Sequence, residues 1–264
     1  MKKWIALLMA MMMMMCSLTA CGGKTTKSDL EYVKQKGTLV VGITDFAPMD
    51  YKDENGNWVG FDAELATAFA KSIGVKVEFV EIEWGKKILE VQGKSIDCVW
   101  NGMTLTSEVK EGMDCSNTYC NNVQVVVLPA SEADKYQTVE SLSKLTFAVE
   151  SGSAGEAEAL KNQFNVTPVE NQASALMEVK AGTSDAAIID YLMASAMVGE
   201  GTSYADLTHT IALNEETGEE YGVGFRKGSD LVEALNKFFK DAYEDGSMLE
   251  IAEKYNIKDR VIAQ

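Results

Sequence analysis

The sequence has a single histidine, His209, and only three prolines in 264 residues. The histidine stands in no Ser-His-Asp pattern, and no CxxC or other metal-ligand spacing accompanies it, so hydrolytic triads and zinc sites are not indicated. Basic residues are also few, with 24 Lys and Arg against 40 Asp and Glu and a formal net charge of −16. Because a phosphate-binding surface is normally basic, this balance argues against nucleic acid as a partner.

The N-terminus has the pattern of a secretion signal. Lys2 and Lys3 precede an apolar stretch that is too short to span a membrane comfortably, and residues 1–20 are therefore predicted to be a signal peptide. The run Leu18-Thr19-Ala20-Cys21 resembles the lipobox of bacterial lipoproteins, which implies that Cys21 is lipidated and becomes the mature N-terminus. Residues 21–29 are then a lipidated tether, and the protein is extracytoplasmic and anchored to the cell membrane. The alternative is an ordinary signal with a chance cysteine.

Of the five cysteines, Cys16 leaves with the signal and Cys21 carries lipid. Cys98, Cys115 and Cys120 remain, so at most one disulfide can form, and buried free thiols are the alternative. The sequence predicts no metal and no cofactor.

The mature chain alternates strands and helices, which predicts an α/β fold with mainly parallel sheets flanked by helices. Strands are predicted over 38–43, 75–80, 123–128, 145–149, 186–189 and 221–225, and helices over 62–73, 84–92, 154–164 and 172–181, with two more near the C-terminus. Asp62 is predicted to cap its helix, and Asp230 with Glu233 to form a capping box. His209 is placed in a loop.

Three segments indicate a small-ligand site. Residues 97–109 begin as an apolar strand, break at Asn101-Gly102, and pass through hydroxyl side chains into a short helix, which is a common cradle for a ligand. Asp190 directly follows an apolar strand. Ser151-Gly152-Ser153 is a glycine-containing entry to a helix, whose free amides and dipole would suit a carboxylate.

Taken in order, these segments together with Gly60-Phe61-Asp62, Trp84 and Asp245-Gly246 resemble the family 3 extracellular solute-binding proteins, the polar amino-acid receptors of ABC importers. The resemblance implies the type II periplasmic-binding-protein fold, with two lobes joined by two crossover strands. The first lobe would hold residues 30–121 and 222–264, and the second residues 122–221. It also implies a monomer that closes on a small ligand and docks on membrane permease subunits, without catalysing a reaction.

The resemblance further assigns ligand-binding roles by position. Phe46 and Trp84 would sandwich the ligand, and Asp190 would pair with its α-ammonium. The remaining ligand-binding positions are Asp45, Asn101, Gly102, Thr104 and Ser153. The alternatives are core packing for the aromatic residues, a strand cap for 101–104, and a helix cap for Asp190.

Two positions depart from the family pattern, and both concern the ligand's carboxylate. Val109 stands where the family usually has an arginine that binds the α-carboxylate, and Ala154 stands where it usually has a threonine. Either backbone amides, Thr104 and Ser153 hold that group, or the ligand has no α-carboxylate there. Since Asp190 is retained, we expect an amine-bearing ligand, an amino acid or a derivative.

Two other functions are compatible with such a fold. Some proteins of this architecture are dehydratases, so the fold alone does not exclude an enzyme. No catalytic partner for Asp190 is evident in the sequence, and we therefore expect a binding protein. A sensor that feeds a signalling protein is the other alternative.

Overall fold

The computed structural model describes residues 28–264. The predictions for the signal peptide, for Cys16 and Cys21, and for most of the tether lie outside the described residues. No helix within residues 28–264 is both long enough and apolar enough to cross a membrane.

The first lobe is built on a five-stranded sheet in the order β4-β1-β5-β14-β6. Its strands are β1 (Thr38–Ile43), β4 (Lys76–Glu81), β5 (Cys98–Val99), β6 (Asp114–Cys115) and β14 (Gly224–Phe225). A hairpin of β2 (Tyr51–Lys52) and β3 (Trp58–Val59) stands beside it, and its helices are α1 (Asp29–Lys36), α2 (Phe61–Ser72), α3 (Lys87–Gly93), α4 (Ser107–Gly112), α8 (Leu231–Glu244) and α9 (Ser247–Lys254). Strand β1 pairs in parallel with β4 and β5, whereas β14 runs antiparallel to its neighbours.

The second lobe is built on a sheet in the order β10-β9-β11-β8-β12. Its strands are β8 (Gln124–Pro129), β9 (Thr146–Glu150), β10 (Asn165–Val169), β11 (Ala186–Asp190) and β12 (Leu207–Ala212), and its helices are α5 (Ala154–Lys161), α6 (Gln172–Ala181) and α7 (Tyr191–Met197). Strands β10, β9 and β11 are parallel, and β8 is antiparallel to β11. The two mixed, mainly parallel sheets confirm the predicted two-lobed α/β class.

The chain passes between the lobes on β7 (Cys120–Asn122) and β13 (Glu219–Tyr221), which pair with each other in antiparallel fashion. These are the two crossover strands, and we call them the hinge strands. Tyr221 on one of them is fully buried and also bridges to Thr104 in the first lobe.

Aromatic side chains pack within the mainly aliphatic cores of both lobes. In the first lobe Trp100 packs against Phe69 and Phe239, with ring centroids 6.3 and 5.5 Å apart. In the second, Phe147 stacks on Phe164 at 4.8 Å. Burial of side chains of this size adds to the hydrophobic stabilisation of the strands that carry the site.

Three local predictions from the sequence are wrong. Helix α2 begins after Gly60 without a side-chain cap, and Asp62 is instead buried with its carboxylate turned toward the first-lobe core. Asp230 makes no capping bond to its own helix, because its carboxylate accepts hydrogen bonds from the N-terminus of α1, at Ser28 and Leu30. His209 lies in strand β12 rather than in a loop.

The described cysteines are all free thiols. Cys98 and Cys120 are buried, and Cys115 is half-buried. Burial raises the pKa of the Cys98 thiol well above its ordinary value, which keeps it protonated and unreactive.

A buried ionic cluster attaches the N-terminal helix to the first lobe. The guanidinium of Arg226 donates to Asp29 at 3.0 Å and to the carbonyl oxygen of Ile96 at 2.9 Å, and it lies 3.5 Å from Asp97. Asp97 also accepts from Lys36 at 2.6 Å. This cluster therefore fixes α1 against the first lobe.

Candidate functional site

A cavity of about 270 Å³ lies between the lobes, where strands β5, β9 and β11 end. Its lining from the first lobe comprises Phe46, Trp84, Lys87, 101–104 and 106–109, and from the second lobe Glu150, 152–154, Ala157, Gln172 and Asp190. Seven of the eight predicted ligand-binding residues therefore face one space. Asp45 does not, because it is exposed to solvent and lies outside the lining.

The lobes touch each other at the edge of this cavity. The ammonium of Lys87 donates to the carbonyl oxygen of Gly152 across the cleft at 2.9 Å. Gly152 has φ +75°, and a Cβ atom there would lie only 2.6 Å from the Cα atom of Gly85 in the other lobe. The structure is therefore a closed form, in which the absence of a side chain at Gly152 allows the backbones to approach.

Phe46 and Trp84 form apolar walls of the cavity and are 2% and 7% exposed. Phe46 contacts the edge of Tyr221, with ring centroids 6.4 Å apart. Gly102, at φ +52°, lets the Phe46 ring approach, because a Cβ atom there would lie 2.4 Å from it. Trp84 carries the Lys87 ammonium over its ring at 4.8 Å, which is a cation–π arrangement.

The polar groups at the end of β5 are largely occupied within the first lobe. The Asn101 amide accepts from the backbone and hydroxyl of Thr44 at 3.0 and 2.9 Å, and donates to the Thr44 carbonyl and to Asp50 at 3.0 and 2.8 Å. Its hydrogen-bonding capacity is thereby used. Asn101 lines the cavity but joins two loops of the scaffold.

The backbone amide of Gly102 is also engaged, since it donates to the buried carboxylate of Asp62 at 2.6 Å. Tyr119 donates its hydroxyl to the same oxygen at 2.7 Å. Burial raises the pKa of Asp62 to about 7, against the effect of these two hydrogen bonds. The Asp62 carboxylate thus fixes the turn at Gly102 that shapes the cavity. The sequence predicted a helix cap at Asp62 and did not identify this role.

The N-terminus of α5 offers little to an anion. Ser153 caps the helix by accepting from the amide of Glu156 at 3.0 Å, and the Glu156 carboxylate accepts from the amide of Gly152 at 2.7 Å. The Gly152 amide is therefore used by a carboxylate of the chain itself, and Ser153 is used as an acceptor, which leaves its hydroxyl proton as the donor for an anion.

The positions of the missing carboxylate contacts are apolar. Val109 is 2% exposed, packs with Trp84 and Met103, and faces the cavity together with Ala154. The adjacent Lys110 is exposed and does not belong to the lining. No arginine belongs to the lining formed by the described residues, so the carboxylate clamp has no substitute of the same kind.

Asp190 lies at the end of β11 and is 5% exposed. Its Oδ1 atom accepts from the Tyr221 hydroxyl at 2.6 Å, from Gln124 at 3.1 Å and from Asn122, while its Oδ2 atom accepts from Gln172. It makes no capping bond to α7, so its carboxylate is directed into the cleft rather than to the helix. Within residues 28–264 it has no ion-pair partner.

The pKa of Asp190 is raised to about 7. Burial is the main cause, and the nearby carboxylate of Glu219 adds to it, while the bonds from Tyr221, Gln172 and Gln124 act in the opposite direction. A cation that enters the cavity would therefore stabilise the ionised form of this buried acid.

Two buried ionisable residues of the lining were not predicted from the sequence. Glu150 ends β9, is 2% exposed, and has an Oε1 atom with no hydrogen-bond partner among the described residues. Its pKa is raised to about 8 by burial and by the charge of Asp190. Lys87 is 7% exposed, and burial lowers its pKa against the effect of neighbouring Glu108 and Glu150. The strand-end rule that pointed to Asp190 would also have identified Glu150.

Comparisons with known proteins agree with this geometry. The family model of bacterial extracellular solute-binding proteins, family 3, matches residues 39–258. The arginine-binding extracellular protein ArtP of Bacillus subtilis (strain 168) is 32% identical over 260 residues, 97% of this chain and 98% of that protein. A probable histidine-binding protein of Neisseria gonorrhoeae is 30% identical over 269 residues, 98% of this chain and 97% of that protein. A crystal structure of a mutant ArgBP from T. maritima has a TM-score of 0.80 and 31% identity, covering 86% of this chain and 99% of that chain.

Proposed function

The chain belongs to the family 3 bacterial extracellular solute-binding proteins, and we propose that it is the substrate-binding subunit of an ABC importer for a small amine-bearing solute, an amino acid or a close derivative. Its relatives are binding proteins rather than enzymes. The ligands in the names of these relatives, arginine and histidine, support an amino-acid-like solute for this chain.

The observation that carries the proposal is the buried carboxylate of Asp190 at the cleft. Its hydrogen bonds to neutral donors orient it, but none of them cancels its charge. Removing a charge from water costs several kcal/mol unless a counter-ion accompanies it. An ammonium group of the ligand would be that counter-ion, with the methylene groups next to it packed against Phe46 and Trp84.

Closure of the two lobes would then enclose the ligand bound at Asp190. In an open form Lys87 and Gly152 separate and the ligand reaches Asp190 from solvent. When the lobes meet, the contact between Lys87 and Gly152 forms and water is excluded around the ion pair, which strengthens it. The permease then recognises the closed form, and lipidated Cys21 holds the receptor at the cell membrane next to it.

A second candidate ligand is an amine without an α-carboxylate. It is favoured by the apolar pair Val109 and Ala154 and by the Glu156 carboxylate at the helix N-terminus, where an α-carboxylate would otherwise bind. Both candidates place a cationic nitrogen at Asp190 and differ only at the opposite side of the cavity.

Calorimetric titration against amino acids, their amides, short peptides and simple amines tests the proposal. We expect saturable heat from at least one amine-bearing compound, and its loss in the Asp190→Asn variant. The absence of heat from every amine would refute it. The tether is tested separately, since a Cys21→Ala variant expressed with its own signal should leave the membrane fraction for the medium.

A further inference from the structure

The cavity contains a second buried carboxylate that an α-ammonium at Asp190 does not account for. Building on the proposed function, we propose that Glu150 is a second cation-binding residue, and that the ligand carries two positively charged nitrogens, one for Asp190 and one for Glu150. Basic amino acids and diamines belong to this chemical class.

Strand pairing places the two carboxylates at the same edge of the second-lobe sheet. Strands β9 and β11 are parallel neighbours, with Phe147 paired to Ala186 and Ala148 to Ala187. Continuing that register puts Glu150 opposite Ile189, one residue before Asp190, and each acid is the last residue of its strand, with the strands about 4.8 Å apart. Both face the cavity. One ligand inside it can therefore reach both.

The protein itself does not neutralise these two charges. The lining contains three carboxylates, with Glu108 exposed at the rim and Glu150 and Asp190 buried. Lys87 is the one basic side chain in the lining that the described residues form, and its ammonium donates to the carbonyl oxygens of Gly152 and Trp84 rather than to an acid. Lys87 lowers the pKa of Glu150 from a distance but forms no ion pair with it.

Glu150 is less fully satisfied than Asp190, although hydrogen bonds from Thr44 and Gln172 lower its pKa. Its Oε1 atom has no hydrogen-bond partner within residues 28–264, although the residue is only 2% exposed. A buried unsatisfied oxygen is costly and in a native protein calls for an explanation. A donor on the ligand would satisfy this oxygen. A cation beside Glu150 would also favour its ionised form and so lower its raised pKa.

One ammonium alone would leave the site incomplete. If it bound at Asp190, Glu150 would remain buried and either charged without a partner or protonated. A second nitrogen at Glu150 removes that cost. The apolar surface at Val109 and Ala154 offers no further anion, so the charge preference of the cavity is set by the two strand-end acids.

Four probes separate the second nitrogen from the carboxylate. Lysine and norleucine differ by the terminal ammonium, as do cadaverine and pentylamine, and each pair has the same chain length within it. We expect the diamino member of each pair to bind at least about 10-fold more tightly, because a buried charge pair forms only with it. The Glu150→Gln variant should reduce both ratios to within about 3-fold.

Glu140→Gln is the matched control, because it makes the same chemical change at an exposed site of the second lobe. Its ratios should equal those of the unaltered protein. Thermal unfolding of ligand-free Glu150→Gln should show no loss of stability, since a buried acid is replaced by a neutral side chain of the same size, and this excludes misfolding as the cause of weaker binding.

The outcomes are distinct. If norleucine or pentylamine binds as tightly as its diamino counterpart, the inference fails while the proposed function stands. If both ratios are large but unchanged in Glu150→Gln, the second nitrogen binds elsewhere and the inference also fails. If none of the four probes binds, the inference is overturned, and failure of the wider panel of amines would overturn the proposed function with it.

Discussion

The ammonium of Lys87 in the first lobe donates a 2.9 Å hydrogen bond to the carbonyl oxygen of Gly152 in the second. The bond exists only when the lobes are together, and it lies beside a close backbone approach between them, at Gly85 and Gly152. Closure of this cavity therefore depends on the absence of a side chain at one position.

A methyl group at that position should prevent closure. In Gly152→Ala the Cβ atom would lie 2.6 Å from Gly85, so we expect affinity for the ligand to fall at least about 10-fold and the ligand-induced contraction in small-angle scattering to disappear. Gly182→Ala is the control, because its φ of +73° gives the same backbone strain with nothing within 4 Å. Each variant should lose about 1 kcal/mol of stability. Equal affinities in the two would contradict a closure role for Gly152.

Binding of a cationic ligand should strengthen as the pH rises. The pKa values of Asp190 and Glu150 are raised to about 7 and about 8, so both hold protons at mildly acidic pH, and a cation must displace them. The groups that face them are Glu219, Tyr221 and Lys87. Affinity should increase by up to about tenfold per pH unit for each proton released, and level off above both values.

Calorimetry in buffers of different ionisation enthalpy measures these protons directly. Glu150→Gln, which keeps Asp190, should remove the Glu150 proton from the count. An affinity that stays constant or falls between about pH 6 and pH 8.5 would show that the two acids are already ionised in the free protein.

Loss of the Tyr221 hydroxyl should move this pH profile upward. That hydroxyl donates to Asp190 at 2.6 Å and lowers its pKa, so Tyr221→Phe should shift the midpoint by about one unit toward alkaline pH. Tyr119→Phe removes a comparable bond, to Asp62 at 2.7 Å, in a part of the first lobe outside the cavity lining. It should cost stability and leave the midpoint unchanged, and the same shift in both variants would refute the local account.

An arginine at position 109 should restore selectivity for a carboxylate. Val109 faces the cavity, and in Val109→Arg we expect the affinity for an amino acid to rise by about 10-fold or more relative to the corresponding decarboxylated amine. Val109→Met adds comparable apolar bulk without charge and should not alter that ratio. If the arginine variant also leaves the ratio unaltered, the missing clamp does not explain the ligand preference.

The buried ionic cluster at Arg226 should contribute strongly to the stability of the first lobe. Arg226→Met leaves Asp29 and Asp97 without their guanidinium and should reduce the free energy of unfolding by about 3–5 kcal/mol. Lys227→Met, at the exposed neighbouring position, should cost less than about 1 kcal/mol. Chemical denaturation of both variants makes the comparison, and equal losses would contradict the assigned role.

The sequence was sufficient for the alternation of strands and helices and for the position of Asp190, because both depend on local patterns. It could not show how the polar groups at the end of β5 are used. Asn101 and Gly102 bond to Asp50 and Asp62, which lie 51 and 40 residues away along the chain, and only the fold brings these partners together. For the same reason Asp62 looked like a helix cap.

The two strand-end acids differ in what the sequence predicts for them. Asp190 follows an apolar strand and has an assigned role in the family pattern, whereas no pattern in the sequence assigned a role to Glu150, at the same edge of the same sheet. Lys87 was unrecognisable for a different reason, since its partner Gly152 belongs to the other lobe and the contact depends on closure.

Glu219 lies on a hinge strand and shares its donors with Asp190. Gln124 donates to both carboxylates, at 2.9 and 3.1 Å, and Asn122 on the other hinge strand also bonds to both. A cation at Asp190 competes for these amides, and so changes the hydrogen bonding of the segment about which the lobes rotate. Asn121 is exposed on that segment. A fluorophore attached there would report occupancy without touching the ligand, which makes this protein a scaffold for an optical biosensor of charged amines.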